Sequence, residues 1–254
     1  MESKFNINRI SNLFKYELVL LQQPLLLSVV GFALFIIAIC ALSSTLEPRG
    51  VVSNQTLGTI YGLAIGLGGP IISSFSFHRI ATKGGALNYL SLPASREEKF
   101  FVTFLSTAFF YPVTVTLVFL VVELGAKLVW SLFGGSITLF TVNDMISAEG
   151  LLGFTMSYLF VHSFYFLGSS LFRRYAFLKT TVIGFGLFVG FWVVGVIVFL
   201  LFFSNGQFEN MDYSLQLDEE TLQGTIKYVF QVGVSFTILA LWILSFLKFK
   251  RAEV

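Results

Sequence analysis

The sequence predicts an all-α polytopic membrane protein with six transmembrane helices and an amphipathic helix before them. Of its 254 residues, 56% are hydrophobic and 12% are charged, about half the charged fraction of an ordinary soluble domain. Six apolar runs reach roughly 20 residues, the length that a helix needs to cross the hydrocarbon core of a bilayer. Lys and Arg residues are concentrated in alternate connections between these runs, as in polytopic membrane proteins.

Residues 1–23 precede the first predicted span and place apolar side chains on one face of a helix. Such a face is typical of a helix that lies in the membrane interface. We expect Asn8 to cap this helix and Pro24 to end it. Two roles stay open for the segment, namely anchoring the first span and transmitting motion to it. The apolar residues at helical spacing are Ile10, Leu13, Phe14, Leu18 and Leu21.

Residues 24–247 form the predicted six-helix transmembrane domain. The runs are continuous rather than alternating, which favours helices over a barrel, and a helix satisfies its own backbone hydrogen bonds in lipid. The spans are Leu25–Leu46, Thr56–Phe77, Phe100–Val122, Leu151–Phe172, Thr180–Phe203 and Tyr228–Leu247.

Glycines recur every four residues in two of the spans, which predicts faces that another helix can approach closely. Packing within one subunit and packing between subunits both stay open for these faces. We also expect Gly68–Pro70 to interrupt the second span and Pro112 to kink the third. The repeated glycines are Gly58, Gly62 and Gly66 in the second span and Gly186 and Gly190 in the fifth.

The positive charges indicate an orientation, because 13 of the 16 Lys and Arg residues fall at one predicted side. The positive-inside rule makes that side cytoplasmic. Both termini, the connection 78–99 and the basic tail 248–254 are then cytoplasmic, whereas the segment 123–150 and the acidic loop 204–224 are external. Leu124–Asn143 carries only Lys127 and could be interfacial, re-entrant or spanning. An interfacial or re-entrant segment, broken by Gly134 and Gly135, is favoured.

The cytoplasmic connection 78–99 contains a polar corner at residues 88–99, which we call the elbow. Pro93 disfavours helix at the residue before it, so a helix should end there. Ser95 and Glu98 have the S-x-x-E spacing of a capping box, which starts the next helix. Glu97 and Glu98 also suit the positive end of that helix dipole. The sequence therefore predicts a rigid bend rather than a flexible loop.

The string Leu90-Ser-Leu-Pro-Ala-Ser-Arg-Glu-Glu-Lys-Phe100, between the second and third of six spans, resembles the cytoplasmic segment of type-2 ABC exporter permeases. The layout of the whole chain is similar as well, although exporters of that family often carry extra helices where the short loop 204–224 stands here. The resemblance implies a coupling helix that docks on an ATPase subunit. It implies apolar contacts from Leu90 and Leu92, an elbow held by Pro93 and Ser95, and charge pairs from Arg96, Glu97 and Glu98.

The resemblance also implies the partners of this chain. Six spans make half of a translocation path in that family, so a second identical or homologous permease subunit is expected, with ATPase subunits and membrane lipid. The expected location is the bacterial cytoplasmic membrane. A phosphate-binding loop needs Gly-Lys, and the sequence contains no such dipeptide. We therefore expect ATP and Mg²⁺ to bind the partner, and no catalytic, cofactor or nucleic-acid site in this chain.

Other classes of protein are less well supported by the residues. His78, His162 and Cys40 do not form a metal-ligand pattern. The predicted spans contain no Asp, Glu, Lys or Arg, which disfavours ion-driven transport. His162 is expected to be a hydrogen-bonded packing residue. A membrane scaffold or assembly protein without transport activity stays open as the alternative, and an integral membrane enzyme acting on lipid ranks below it.

Overall fold

The structure is a computed structural model, and it describes residues 6–46, 51–52, 54–78, 83–132, 136–137, 148–172, 174–204 and 219–252. This part of the chain is mostly helical, with two strands of two residues each. The helices are α1 (Ile7–Leu46), α2 (Asn54–Phe75), α3 (Lys83–Leu90), α4 (Arg96–Leu105), a π-helical turn (Ser106–Phe110), α5 (Tyr111–Leu132), α6 (Ala148–Leu171), α7 (Ala176–Ser204) and α8 (Glu219–Ala252). Strands β1 (Val51–Val52) and β2 (Ser136–Ile137) pair in parallel.

Five helical segments of the described chain are long and apolar enough to cross a membrane. They correspond to the second to sixth predicted spans, so the all-α class and this part of the predicted layout agree with the structure. The first predicted span, Leu25–Leu46, lies in α1, where many side chains are outside the described part, and it stays a prediction. The five segments are Leu57–Phe75, Arg96–Val129, Gly150–Leu171, Ala176–Leu201 and Lys227–Arg251.

The N-terminal helix α1 continues through Pro24 to Leu46. The predicted helix end at Pro24 is therefore wrong. Proline removes one backbone hydrogen bond, but membrane helices tolerate it because the neighbouring structure re-satisfies the freed carbonyl. The placement of residues 1–23 in the membrane interface stays a prediction.

Helix α2 likewise runs through Gly68–Pro70 and ends only at Phe75, so the predicted interruption is wrong. Two serines after the proline bond back to carbonyls of the preceding turn. Ser73 Oγ donates to the Gly69 carbonyl at 2.7 Å, and Ser74 Oγ donates to the Pro70 carbonyl at 2.7 Å. Hydroxyl groups that bond to carbonyls of the preceding turn are a common accompaniment of proline in apolar helices.

The third span is one long helical segment whose middle is irregular. Its α-helical hydrogen bonding gives way to a π-helical turn at Ser106–Phe110, directly before Tyr111 and Pro112. Since Pro112 has no N–H to donate, a local change of hydrogen-bonding register is expected on its N-terminal side. The structure thus shows a π turn directly before Pro112, and the kink of the span stays a prediction.

The same segment extends beyond its predicted end at Val122. Helix α5 continues to Leu132, so the first residues of the segment predicted as interfacial or re-entrant are a direct continuation of the span. Glu123 consequently lies within the helix and is only 2% exposed. The predicted span Phe100–Val122 contains no carboxylate, but the helix that includes it extends further and contains Glu123. Gly134 and Gly135 lie outside the described residues.

Helix α6 is the central helix of the bundle, because it packs against α2, α7 and α8. Its Phe166 meets three other buried aromatic side chains near one end of the bundle. We call Phe77, Tyr89, Phe166 and Phe249 the aromatic cluster. The Phe77 ring lies 5.1 Å from that of Phe166 and 4.9 Å from that of Phe249, centroid to centroid. The cluster therefore joins the end of α2 to α6 and α8.

Helix α7 lies at the edge of the bundle and is apolar on all its faces. None of its membrane-length window is buried inside the chain, and Phe191, for example, is 77% exposed. A soluble protein rarely exposes a continuous apolar surface of this size, whereas lipid accommodates it without cost. The helix indicates an integral membrane protein.

Helix α8 is longer at both ends than the predicted sixth span. It begins at Glu219, so the predicted loop 204–224 is shorter than expected, and residues 205–218 lie outside the described part. At its other end the helix includes the predicted tail as far as Ala252. Phe249 belongs to the aromatic cluster and is buried, while Lys248 and Lys250 on either side of it are exposed.

A side chain of a neighbouring helix lies close to Gly68, which is not one of the repeated glycines. A Cβ at Gly68 would meet the Tyr111 hydroxyl, which donates to the Ala64 carbonyl at 2.8 Å. A Cβ at Gly66, two residues earlier, would meet no atom within 4 Å. Gly68→Ala should therefore lower the free energy of unfolding by about 1–3 kcal/mol. Gly66→Ala should leave it unchanged or raise it by up to about 1 kcal/mol.

Unfolding in mixed micelles, followed by circular dichroism, measures both effects. Tyr111→Phe removes the hydroxyl that the new Cβ would meet. The double variant Gly68→Ala, Tyr111→Phe should therefore lose less free energy of unfolding than the two single variants lose in sum. Equal effects of alanine at Gly66 and Gly68, or strict additivity in the double variant, would show that Tyr111 does not pack into the space at Gly68.

Candidate functional site

The elbow has the local structure that its sequence predicts. Helix α3 ends at Leu90, and the Ala94 amide donates to the Leu92 carbonyl at 2.8 Å in the turn around Pro93. Ser95 is extended, with φ −71° and ψ 161°, and caps α4. Its hydroxyl accepts from the Glu98 amide at 3.2 Å, and Glu98 Oε2 accepts from the Ser95 amide at 2.8 Å. The predicted helix end and the predicted capping box are both confirmed.

The second oxygen of Glu98 reaches a different helix. Glu98 Oε1 accepts a hydrogen bond of 2.9 Å from the backbone N–H of Asn6, the residue before α1. The Glu98 side chain is 0% exposed. One buried carboxylate therefore binds the N-terminal ends of two helices, where the positive ends of both helix dipoles favour a negative charge.

Asn6 is also the N-cap of α1, because its Oδ1 accepts the Asn8 amide at 3.0 Å. The prediction that Asn8 caps this helix is wrong by two residues, since Asn8 lies inside the first turn. The amides of Arg9 and Ile10 bond to the Asn6 carbonyl, each at 3.1 Å. The start of α1 is thus fixed by its own cap and by Glu98.

The inner side of the elbow rests on the bundle. Leu92 packs against the aromatic cluster, to which the elbow residue Tyr89 itself belongs. Lys99 is buried, and its Nζ lies 5.2 Å from the centroid of the Tyr89 ring, within cation–π range. Phe100, the next residue, packs with Phe166 at 5.5 Å between ring centroids. A force applied to the elbow would therefore reach α1, α4, α6 and α8 together.

The outer side of the elbow is open. Leu87, at the end of α3, is 70% exposed. Ser91, Pro93 and Arg96 are exposed, and Glu97 is half-buried. The outer face so defined combines the apolar side chain of Leu87, which lies just before the elbow, with a rigid proline and two charged groups, Arg96 and Glu97.

These positions correct part of the predicted contact set. The expectation that Glu98 pairs with a charge on a partner is contradicted, because its carboxylate is buried and both oxygens bind this chain. Leu92 likewise contacts the aromatic cluster. Ser95 acts as the cap, in agreement with its predicted role of holding the elbow. The backbone of Leu90 ends α3, but its side chain lies outside the described part.

The repeated glycines show no close helix contact in the described part of the chain. A Cβ at Gly62, Gly66, Gly186 or Gly190 would meet no atom within 4 Å there. Gly58 is buried, but its surroundings are not described further. Packing of these faces within one subunit is thus not seen at the four positions, and packing against another subunit stays a prediction.

A buried polar group lies inside the bundle at the π turn. His162 is 0% exposed, and its Nε2 lies 2.9 Å from Thr107 Oγ1. The Thr107 hydroxyl can donate to the Thr103 carbonyl at 3.0 Å, so the contact suits a protonated Nε2. Tyr158 donates to the Thr107 carbonyl at 2.7 Å. The predicted packing role of His162 agrees with these contacts, which fix α6 against the irregular part of the third span.

Among the described residues, no group of three His, Cys, Asp or Glu residues lies close enough to hold a metal ion. His162 Nδ1 and Trp242 Nε1 are buried without a hydrogen-bond partner in the same part of the chain. Their ring centroids are 6.2 Å apart. Both of these nitrogen atoms are buried, and the other ring nitrogen of His162 contacts Thr107 Oγ1.

Sequence reasoning missed the Glu98–Asn6 bond and the burial of Glu123. The first joins residues 92 positions apart, and no local pattern signals it. The second could have been found from hydropathy, since the apolar residues on both sides of Glu123 continue the third span to Val129.

The described residues form a bundle with five membrane-length helical segments, and an elbow with a buried carboxylate connects the segments Leu57–Phe75 and Arg96–Val129. Comparison with protein-family models, with curated proteins and with solved structures finds no match to this chain. The proposed function consequently rests on the sequence and on the geometry of the elbow.

Proposed function

We propose that this chain is the membrane-spanning permease subunit of an ATP-driven ABC exporter. In this proposal it forms half of the translocation path and pairs with a second permease subunit, identical or homologous. ATP and Mg²⁺ bind to separate ATPase subunits, which dock on the elbow at residues 88–99. The protein resides in the bacterial cytoplasmic membrane with both termini in the cytoplasm.

The observation that carries the proposal is the mechanical connection of the elbow. Glu98 bonds to the starts of α1 and α4, and Leu92 and Tyr89 seat the elbow on the aromatic cluster. A coupling element needs such rigidity, because a flexible loop would absorb displacement instead of transmitting it. A cap that only starts a helix needs neither the bond to Asn6 nor the contact with the cluster.

The contacts of Glu98 and Leu92 within the chain change the proposed roles of these two residues. Glu98 is a positioning residue that holds two helices, rather than a contact to the ATPase. The contact surface is the outer face defined by Leu87, Ser91, Pro93, Arg96 and Glu97. An apolar anchor between charged groups suits docking into a cleft of a soluble subunit.

Purification in mild detergent from the organism's own membranes tests the proposal. We expect the chain to bring down a protein with a phosphate-binding loop, in an equimolar ratio and with ATPase activity. A complex that forms without any ATP-hydrolysing subunit would favour the alternative, a membrane scaffold or assembly protein, and would contradict the permease proposal.

A further inference from the structure

The turn between α6 and α7 is a basic corner at the end of two apolar helices. From Gly150 to Phe208 the sequence contains no Asp or Glu, so Arg173, Arg174 and Lys179 give this hairpin a strong positive charge. Tyr175, with φ of 56°, makes the turn sharp. The corner therefore attracts negative charge where two membrane-length helices reach the bilayer surface.

An open pocket of about 300 Å³ lies directly beside this corner. Its walls are apolar except for Lys179, and they come from the end of α6 and the first two turns of α7. Lys179 Nζ lies 5.5 Å from the centroid of the Phe172 ring, a cation–π contact that holds the ammonium group at the edge of the pocket. The lining residues are Phe172, Leu178, Lys179, Val182 and Ile183.

We propose that this pocket binds one membrane lipid with an anionic headgroup. The lipid phosphate lies against Lys179 and Arg174, and the start of an acyl chain follows Leu178 and Val182, which are four residues apart on one face of α7. The exposed cations supply the charge and the pocket supplies the apolar floor. This inference does not depend on the proposed ATPase partner.

Charge argues for lipid rather than a second copy of this chain on the pocket. Two copies meeting here about a two-fold axis would place two basic corners against each other, because such an interface uses the same patch on both subunits. Like charges facing each other across an interface are strongly unfavourable. An anionic lipid, in contrast, neutralises the corner and covers the apolar surface at once.

Native mass spectrometry of the delipidated protein, titrated separately with phosphatidylglycerol and phosphatidylcholine, tests the proposal. We expect one phosphatidylglycerol to be retained in preference to phosphatidylcholine. Lys179→Ala should reduce this preference about fivefold, the effect of one cation near a lipid headgroup. Lys250→Ala, the same change at an exposed position of α8, is the matched control and should leave the preferred site unchanged.

Val182→Trp provides a second variant that keeps the charge and fills the pocket. Because Val182 is exposed to the membrane, a larger side chain there should not disturb folding. We expect the variant to lose the retained lipid while Lys179 is intact. Equal binding of both lipids, or identical effects of Lys179→Ala and Lys250→Ala, would overturn the proposal. If the Val182→Trp variant still retained phosphatidylglycerol, the proposal would be overturned as well, because the acyl chain would then bind elsewhere.

Discussion

Replacing Glu98 with alanine is expected to lower the free energy of unfolding by about 3 kcal/mol. The change removes the acceptor of two backbone amides, those of Asn6 and Ser95, whose hydrogen bonds to the carboxylate are partly buried. Each hydrogen bond to a charged group contributes about 1.5–3 kcal/mol, and loss of a helix cap costs about 1 kcal/mol. Unfolding in mixed micelles gives the magnitude, and amide exchange should show faster opening at the start of α1.

Glu97→Ala is the matched control for this prediction. Glu97 lies in the same first turn of α4 but is half-buried, so its loss removes mainly an interaction with the helix dipole, about 0.3–1 kcal/mol. Amide exchange at the start of α1 should stay unchanged in that variant. If Glu97→Ala and Glu98→Ala were equally destabilising, or if α1 were unaffected by the loss of Glu98, the carboxylate would not join the two helices.

If an ATPase subunit docks on the outer face, as proposed, reversing the charge of Arg96 is expected to weaken the binding of that subunit. Arg96 is exposed on the outer face of the elbow, at the N-terminal end of α4. A glutamate there suits the helix dipole better than arginine, so the dipole contributes nothing unfavourable to stability. Losing a charge pair with the ATPase, in contrast, costs about 2–5 kcal/mol of binding, which corresponds to at least about a thirtyfold loss of affinity.

The measurement is the amount of ATPase retained by the purified variant, together with its unfolding transition. Lys15→Glu reverses an exposed charge on α1, away from the elbow, and should retain the partner fully. If the Arg96→Glu variant retained the ATPase fully, Arg96 would not be part of the contact with that subunit. A large loss of stability in Arg96→Glu would instead assign it a structural role.

Local signals in the sequence were sufficient for the helices and for the elbow. Hydropathy located five of the segments, because each apolar run must be helical to satisfy its backbone in lipid. The proline and the capping box at Ser95–Glu98 defined the bend, since both act within four residues. Pro24 and Pro70 misled the prediction, because proline ends helices in water more strictly than in an apolar bundle.

The non-local part of the site could not be predicted. The capping box explains one Glu98 oxygen, but the acceptor role of the other depends on where α1 begins in space. Leu92 is a similar case, because the resemblance implied a contact with a partner, whereas in the structure Leu92 packs against the aromatic cluster. Both errors arose because a motif identifies which residues matter without showing which side of the chain they face.

Site-directed cross-linking from the elbow tests whether its outer face binds an ATPase subunit. With Cys40 replaced by serine, Ser91→Cys places a photoreactive probe on the outer face, and Ser131→Cys places the same probe at the far end of the third span, where the side chain is also exposed. If the outer face of the elbow binds an ATPase, we expect an adduct between the Ser91 probe and an ATP-hydrolysing subunit, and none from the Ser131 probe. Adducts of the Ser91 probe with lipid alone, or equal ATPase adducts from both positions, would contradict it.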